Sequence, residues 1–265
     1  MPLDAGLANR AIDRRRQNRL RGLRLSNSAI CAFSNSSITI IGGSFPYAIG
    51  FMTAMSGLNI QDGSTLVFTG GLFNISLLVF SNIDFIKIGG GLSVTNRSAI
   101  TISDNVFSAT DQAASYLYLR TFYVFGSFNK TITDRSSLAI TNNRFYAVNI
   151  TLSDSWSWLL INFPFGGFLI SISSSFLVFG NSFEATNISV NGTWNLYTLS
   201  DSSDASATVT ESSILSVSNN SAAVFNHPDT EANMTGRTFQ SAATIEVFSP
   251  CWCICRVNNV SFAFG

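Results

Sequence analysis

Three stretches of the chain, residues 98–110 (SAITISDNVFSAT), 136–148 (SSLAITNNRFYAV) and 174–186 (SSFLVFGNSFEAT), align without a gap, each 38 residues after the last. Apolar residues alternate within each copy, as Ile100 and Ile102, Leu138 and Ile140, Phe176 and Val178. An asparagine follows at Asn105, Asn143 and Asn181, then a phenylalanine two residues on at Phe107, Phe145 and Phe183, then an alanine at Ala109, Ala147 and Ala185. The second and third copies run on, since Asn149-Ile150-Thr151-Leu152 matches Asn187-Ile188-Ser189-Val190. A fixed period of this size is the mark of solenoids, propellers or arrays.

Weaker copies flank the strong ones. Residues 213–222 keep Leu215, Val217 and Asn220, and residues 36–45, 64–73 and 76–85 read as further copies toward the N-terminus. From Phe85 to Phe107 is 22 residues, which sets the expected unit at one turn of about 19–22 residues, with alternate turns most alike. Alternation with period two reads as strand. The bends fall at Gly42-Gly43, Asp104-Asn105, Asn142-Asn143, Gly180-Asn181 and Asn219-Asn220, residue types that accept positive φ or bond their own backbone.

The residue types select the architecture. A leucine-rich or helical repeat would need a Leu framework or an Ala, Leu, Glu and Lys background, and a propeller would need four strands per blade. A parallel β-helix fits the pattern, because stacked turns about 4.8 Å apart put each residue over its counterpart. Phenylalanine then stacks inside and asparagine ladders form at a bend. With turns of about 20 residues, 11 or 12 would make a rod roughly 55 Å long.

Only 11% of positions are charged, against roughly 25% in an ordinary soluble domain. Ser, Asn and Phe take their place, with 39, 24 and 23 copies. Net charge is zero, but Arg10, Arg14, Arg15, Arg16, Arg19, Arg21 and Arg24 crowd the first 24 residues, and the remainder carries eight basic against thirteen acidic residues. The body is therefore a poor partner for nucleic acid. Residues 1–25 read as a basic arm, disordered or helical, that is either a solvated leader or a contact for phosphates or anionic lipid, and residues 26–265 as the repeats. No apolar stretch of secretory type follows the arginines. The charge-free stretches 38–60 and 159–179 are broken by Gly, Pro, Ser or Asn and read as buried strands, not membrane spans.

The run Ser-Ser-Leu-x-Ile-x-Asn-Asn-x-Phe and its copies, over about residues 30–225, resemble the right-handed parallel β-helix repeats of pectin-lyase-like proteins. More narrowly, they are similar to the trypanosomatid dispersed-gene-family surface proteins. The resemblance implies an all-β, right-handed parallel β-helix (solenoid) with a short basic N-terminal arm. It also implies a surface location, glycosylation, a role in adhesion and membrane attachment through segments outside this sequence. Pectin-lyase-like folds include polysaccharide lyases and hydrolases, so catalytic groups are sought next.

Hydrolysis requires two carboxylates facing one another across the sugar. Asp201 and Asp204 lie in a low-complexity stretch, and Asp134-Arg135 precedes a repeat copy. The sole histidine, His227, sits beside Pro228 in a polar loop-like segment. Nucleophile-elbow, phosphate-loop and zinc-protease motifs are lacking, and Gly89-Gly90-Gly91 reads as a bend between strands. Of the cysteines, Cys31 stands alone and Cys251, Cys253 and Cys255 form CWCIC. Their i, i+2 spacing on a strand is too wide for a relaxed disulfide, and a thiolate metal site uses the wider Cys-x-x-Cys spacing with a second pair or a His elsewhere, neither of which is present. Buried free thiols, or pairing with a missing segment, are expected. No catalytic residue, metal or cofactor is assigned.

The glycosylation sequon occurs ten times, at Asn35, Asn74, Asn96, Asn129, Asn149, Asn187, Asn191, Asn219, Asn233 and Asn259, about twice what composition alone produces. Trp156, Trp158 and Trp194 are the candidate contact patch, weighed against a place in the core. The expected function is a non-enzymatic cell-surface or secreted β-helix, adhesin-like or scaffold, whose long faces meet glycans or proteins of a host or cell surface. The alternative is a polysaccharide lyase or hydrolase of the same fold.

Overall fold

A computed structural model describes residues 19–20, 22–44, 48–79, 82–126, 129–163, 167–190, 194–201, 207–225, 234–240, 245–247, 254–258 and 261–264. The described chain is all-β, and every strand pairing in it is parallel. Three sheets make the walls of a solenoid. One coil runs from Leu92–Val94 in the second sheet to Ala99–Ser103 in the third and then along Val106–Val124 in the first. Residues 1–18 of the basic arm lie outside the described residues, and Leu23–Leu25 already belongs to the solenoid, paired with Leu58–Ile60.

The coil is longer than the sequence spacing suggests. Ile30 pairs with Thr65, Thr65 with Ala99, Ala99 with Ser137, Ser137 with Ser175, Ser175 with Ile214, and Ile214 with Ile254. Each coil thus takes 34–40 residues. The third sheet holds seven strands, so the stack rises about 29 Å, not 55 Å. The 22-residue step from Phe85 to Phe107 joins two limbs of the first sheet. Two coils give that sheet one long strand each, Val106–Val124 and Arg144–Phe163, and their neighbours give it two shorter ones; the path bends where Asp111, Asn149 and Asn187 adopt φ of 53–55°. The strands Ser37–Ser44, Leu72–Val79 and Asn82–Ile88 accordingly belong to the first sheet, with Ile38 opposite Phe73, and the first third-sheet strand among the described residues is Ile30–Ser34.

The expected columns are present. Phe107 pairs with Phe145 and Phe145 with Phe183. The rings of Phe73, Phe107 and Phe145 stack at 5.1 and 4.7 Å between centroids, nearly parallel. At the corner before them, Asn105, Asn143 and Asn181 each donate from Nδ2 to Oδ1 of the next asparagine, ending on Asn220, at 2.8–2.9 Å. The same Oδ1 atoms accept the backbone N–H of the coil before, at 3.0–3.1 Å. These amides are buried, and the ladder satisfies groups that would otherwise each cost about 1–3 kcal/mol.

A second ladder went unread in the sequence. Buried Ser64, Ser98, Ser136, Ser174 and Ser213 stand seven residues before Gly71, Asn105, Asn143, Asn181 and Asn220. Each hydroxyl from Ser98 to Ser213 accepts the backbone N–H of the preceding serine at 3.1–3.2 Å. Between the second and third sheets the chain turns on two consecutive left-handed residues, such as Asn96-Arg97 and Asp134-Arg135. Where the first sheet meets the second, coils touch through backbone. A Cβ on Gly90 would stand 2.5 Å from the Ser56 carbonyl, so Gly89-Gly90 is a bend of the kind expected.

Replacing Asn143 by Ala removes the acceptor of the Asn105 N–H and Nδ2 and the side-chain donor to the Ile102 carbonyl, and should lower stability by about 2–4 kcal/mol. Asn142→Gly, at an exposed residue with φ 56°, should leave stability within about 0.5 kcal/mol. Urea unfolding of the two variants checks the contrast.

Candidate functional site

The second sheet is built from three-residue strands whose burial alternates in, out, in. Each strand therefore sends one side chain outward, and register lines these up as the column Arg24, Asn59, Ser93 and Thr131. Gly22, Gly57 and Gly91 beside the column add no side chain, and the face is hollowed into an open groove of about 570 Å³, rimmed by Ser56 and Asn129. The Oδ1 of Asn59 is buried with no hydrogen-bond partner. The lining thus offers a guanidinium, two carboxamides and three hydroxyls at a rise of about 4.8 Å per coil.

A smaller cavity of about 40 Å³ lies between the two limbs of the first sheet, walled by Phe73, Phe85, Phe107 and Phe145. It has room for about one water and is apolar. Near its mouth, Arg120 donates from Nε to Oδ1 of fully buried Asp84 and from Nη2 to Asn82 at 3.0 Å, and its guanidinium lies 3.8 Å from the Tyr123 ring centre. Lys87 approaches the other Asp84 oxygen at 3.4 Å. Burial, reinforced by Asp84 and opposed by Arg120, pushes the Tyr123 hydroxyl pKa up. This cluster pairs a carboxylate with two cations and holds adjacent strands together.

Inside the second sheet, Lys130 occupies the core column between Leu92 and Phe168 and is fully buried. Its Nζ donates to the Gly126 carbonyl at 3.3 Å and lies 5.8 Å from the Phe163 ring. Burial lowers its pKa to about 8.

The residues singled out from sequence fall in several places. Trp156 and Trp158 are core residues, 1% and 3% exposed, and do not form a surface patch. Trp158 lies 5.3 Å from Phe145 and 4.9 Å from Phe183 between ring centres. It bridges two coils as Phe85 does between Phe73 and Phe107. Trp194 pairs with Trp156 through its backbone, and its side chain lies outside what is described. Asn35, Asn96, Asn129, Asn149, Asn187 and Asn219 are exposed and Asn74 is half-buried, whereas Asn191, Asn233 and Asn259 lie outside the described residues.

Five of the exposed sequon asparagines have φ of 49–56°. Asn149-Ile150-Thr151 shows how the fold makes such a triplet: asparagine for the left-handed bend, isoleucine for the core, threonine for the outer face. Asn187 donates to Asn149, and Asn149 to Asp111, at 3.1 and 2.9 Å.

Asp134-Arg135 forms a corner, with the Arg135 N–H bonded to the Ile172 carbonyl. His227, Asp204, Cys251 and Cys253 lie outside the described residues, and Cys255 is on the strand Ile254–Asn258. Cys31 is a free, half-buried thiol whose pKa burial raises. Among the described residues no three His, Cys, Asp or Glu side chains gather as a metal site, and no helix is long and apolar enough to cross a membrane. The described residues of the charge-free stretches 38–60 and 159–179 run through strands of the solenoid.

The groove escaped the sequence reading because its residues share no chemistry. The signal available was the outward middle residue of each short strand, once register is known. The fold and this surface define a parallel β-solenoid with a polar outer groove. No family profile, curated protein or solved structure matches the chain.

Because the folded state holds Lys130 with a pKa near 8 against 10.5 when unfolded, the unfolded state binds more protons between those values. Stability should therefore rise as pH climbs from about 8 to 10.5. Lys130→Met should remove that rise, as read by urea midpoints across the window.

Proposed function

We propose that this chain is a non-enzymatic, cell-surface or secreted solenoid of adhesin-like or scaffold type, and that it holds a hydroxyl-rich glycan in the groove of the second sheet. The observation that carries the reading is the column Arg24, Asn59, Ser93 and Thr131, with its unpartnered Asn59 acceptor, in a groove of about 570 Å³. Sugar hydroxyls both donate and accept, and an extended saccharide lying along the axis would meet one polar side chain per coil, about every 4.8 Å. Hydrolysis would need two facing carboxylates in addition, whereas binding needs only the groups already aligned. Exposed sequon asparagines at the bends support a glycosylated, extracellular setting. The kinship to pectin-lyase-like helices and to dispersed-gene-family surface proteins is part of the same proposal.

The test is a glycan array probed with the full chain. Retention of a saccharide is expected, with Asn59→Ala and Ser93→Ala each weakening it by about tenfold while the unfolding midpoint stays unchanged. Absence of any retained glycan, or binding indifferent to both substitutions, overturns the reading.

A further inference from the structure

The position just before each second-sheet strand forms a column of its own. Register places Gly22, Gly57, Gly91, Asn129 and Gly167 in it, since Leu23, Leu58, Leu92, Lys130 and Phe168 pair in turn. Backbone bonds repeat the order: the N–H groups of Leu23, Leu58 and Lys130 donate to the carbonyls of Gly57, Gly91 and Gly167. Part of the column requires glycine, because Gly57 has φ 119° and a Cβ there would stand 2.9 Å from the Gly91 carbonyl oxygen. Against this background of glycine, Asn129 puts out a side chain, and it is exposed.

Asn129 also opens the triplet Asn129-Lys130-Thr131, an N-glycosylation sequon. Lys130 is fully buried, so Asn129 and Thr131 share the outer face, as alternate residues of a strand do. Both line the groove, at one end of it. From there the lining runs in one direction, past Gly91, Gly57 and Gly22 on one side and Ser93, Asn59 and Arg24 on the other. Three coil steps of about 4.8 Å make that path about 14 Å long. None of the other described sequon asparagines lines the groove.

We propose that Asn129 carries an N-linked glycan that lies back along this path, so that the chain covers its own saccharide site. The inference rests on the glycan-binding reading of the groove and adds its regulation. In the modification, Asn129 Nδ2 bonds to the anomeric carbon of an oligosaccharide while the bond from that carbon to a lipid pyrophosphate breaks. The lipid pyrophosphate leaves, and the amide gives up one proton. The linking sugars are neutral and rich in hydroxyls, matched to the carboxamide of Asn59 and the hydroxyls of Ser93 and Thr131 beside them. A short tether holds a ligand at an effective concentration in the millimolar range, against which any glycan on another surface must compete. Occupancy at Asn129 then decides whether the groove is open, whereas glycans at the bends leave it untouched.

The full chain, secreted from eukaryotic cells behind an added leader, tests the proposal in two ways. Peptide mass spectrometry should find a glycan on Asn129. A thiol introduced by Ser93→Cys, followed by its own peptide, should react with a maleimide at least about tenfold slower than in the double variant Ser93→Cys, Asn129→Gln, as a tethered competitor requires. Thr151→Val, which removes the exposed Asn149 sequon, should leave that rate unchanged. On a glycan array, Asn129→Gln alone should raise retention by about tenfold. An unmodified Asn129, or a maleimide rate that is the same with and without its glycan, would overturn the inference. Slowed alkylation with no array glycan retained by either form would keep the cover and overturn instead the reading of the groove as a receptor for glycans on other surfaces.

Discussion

Parallel strands paired residue for residue from coil to coil are the constraint from which the rest of this molecule follows. Once Ala99 lies over Thr65 and under Ser137, every position of the coil becomes a column, and a column is stable only if its members tolerate copies of themselves about 4.8 Å away. Phenylalanine does so by offset stacking. Asparagine does so by donating to the next amide while accepting from the backbone behind it. A charge does so poorly, since it would face its own sign. The scarcity of charged residues is thus a consequence of stacking, as well as a feature of composition.

Corners and walls divide the work. The corners carry the polar ladders, Asn105 to Asn220 on one and Ser64 to Ser213 on another, where backbone groups turn away from the sheets and would lack partners. The walls carry the rings and aliphatic residues. Within the first sheet the two limbs of the coil are held apart and filled by a third set of rings, Phe85 in one coil and Trp158 in another. The second sheet is the exception, with strands too short to send out more than one side chain each. That brevity hollows its outer face, where polar side chains from several coils line one groove.

Much of the fold was legible in the residues. Alternation marked the strands, Phe107, Phe145 and Phe183 marked a column, and Asn105, Asn143 and Asn181 marked the ladder at a bend. The coil length was misread because Phe85 and Phe107 are spaced like repeats yet sit on different limbs of one sheet. The residues alone leave the tryptophans between a surface patch and the core, because large rings suit both sugar contacts and cores. The serine ladder was within reach, as each serine stands seven residues before the corner residue that opens the next strand.

By itself the sequence determined that this chain coils in parallel strands with like residues in register, because repetition of buried chemistry at a fixed interval has that physical meaning. Tertiary structure alone decided how many residues make a coil, which rings close the core, and that Arg24, Asn59, Ser93 and Thr131 share one groove. Those four residues are unlike one another and 34–38 apart. Outward side chains are free to differ from coil to coil, so their alignment is a property of register and leaves no mark in residue type.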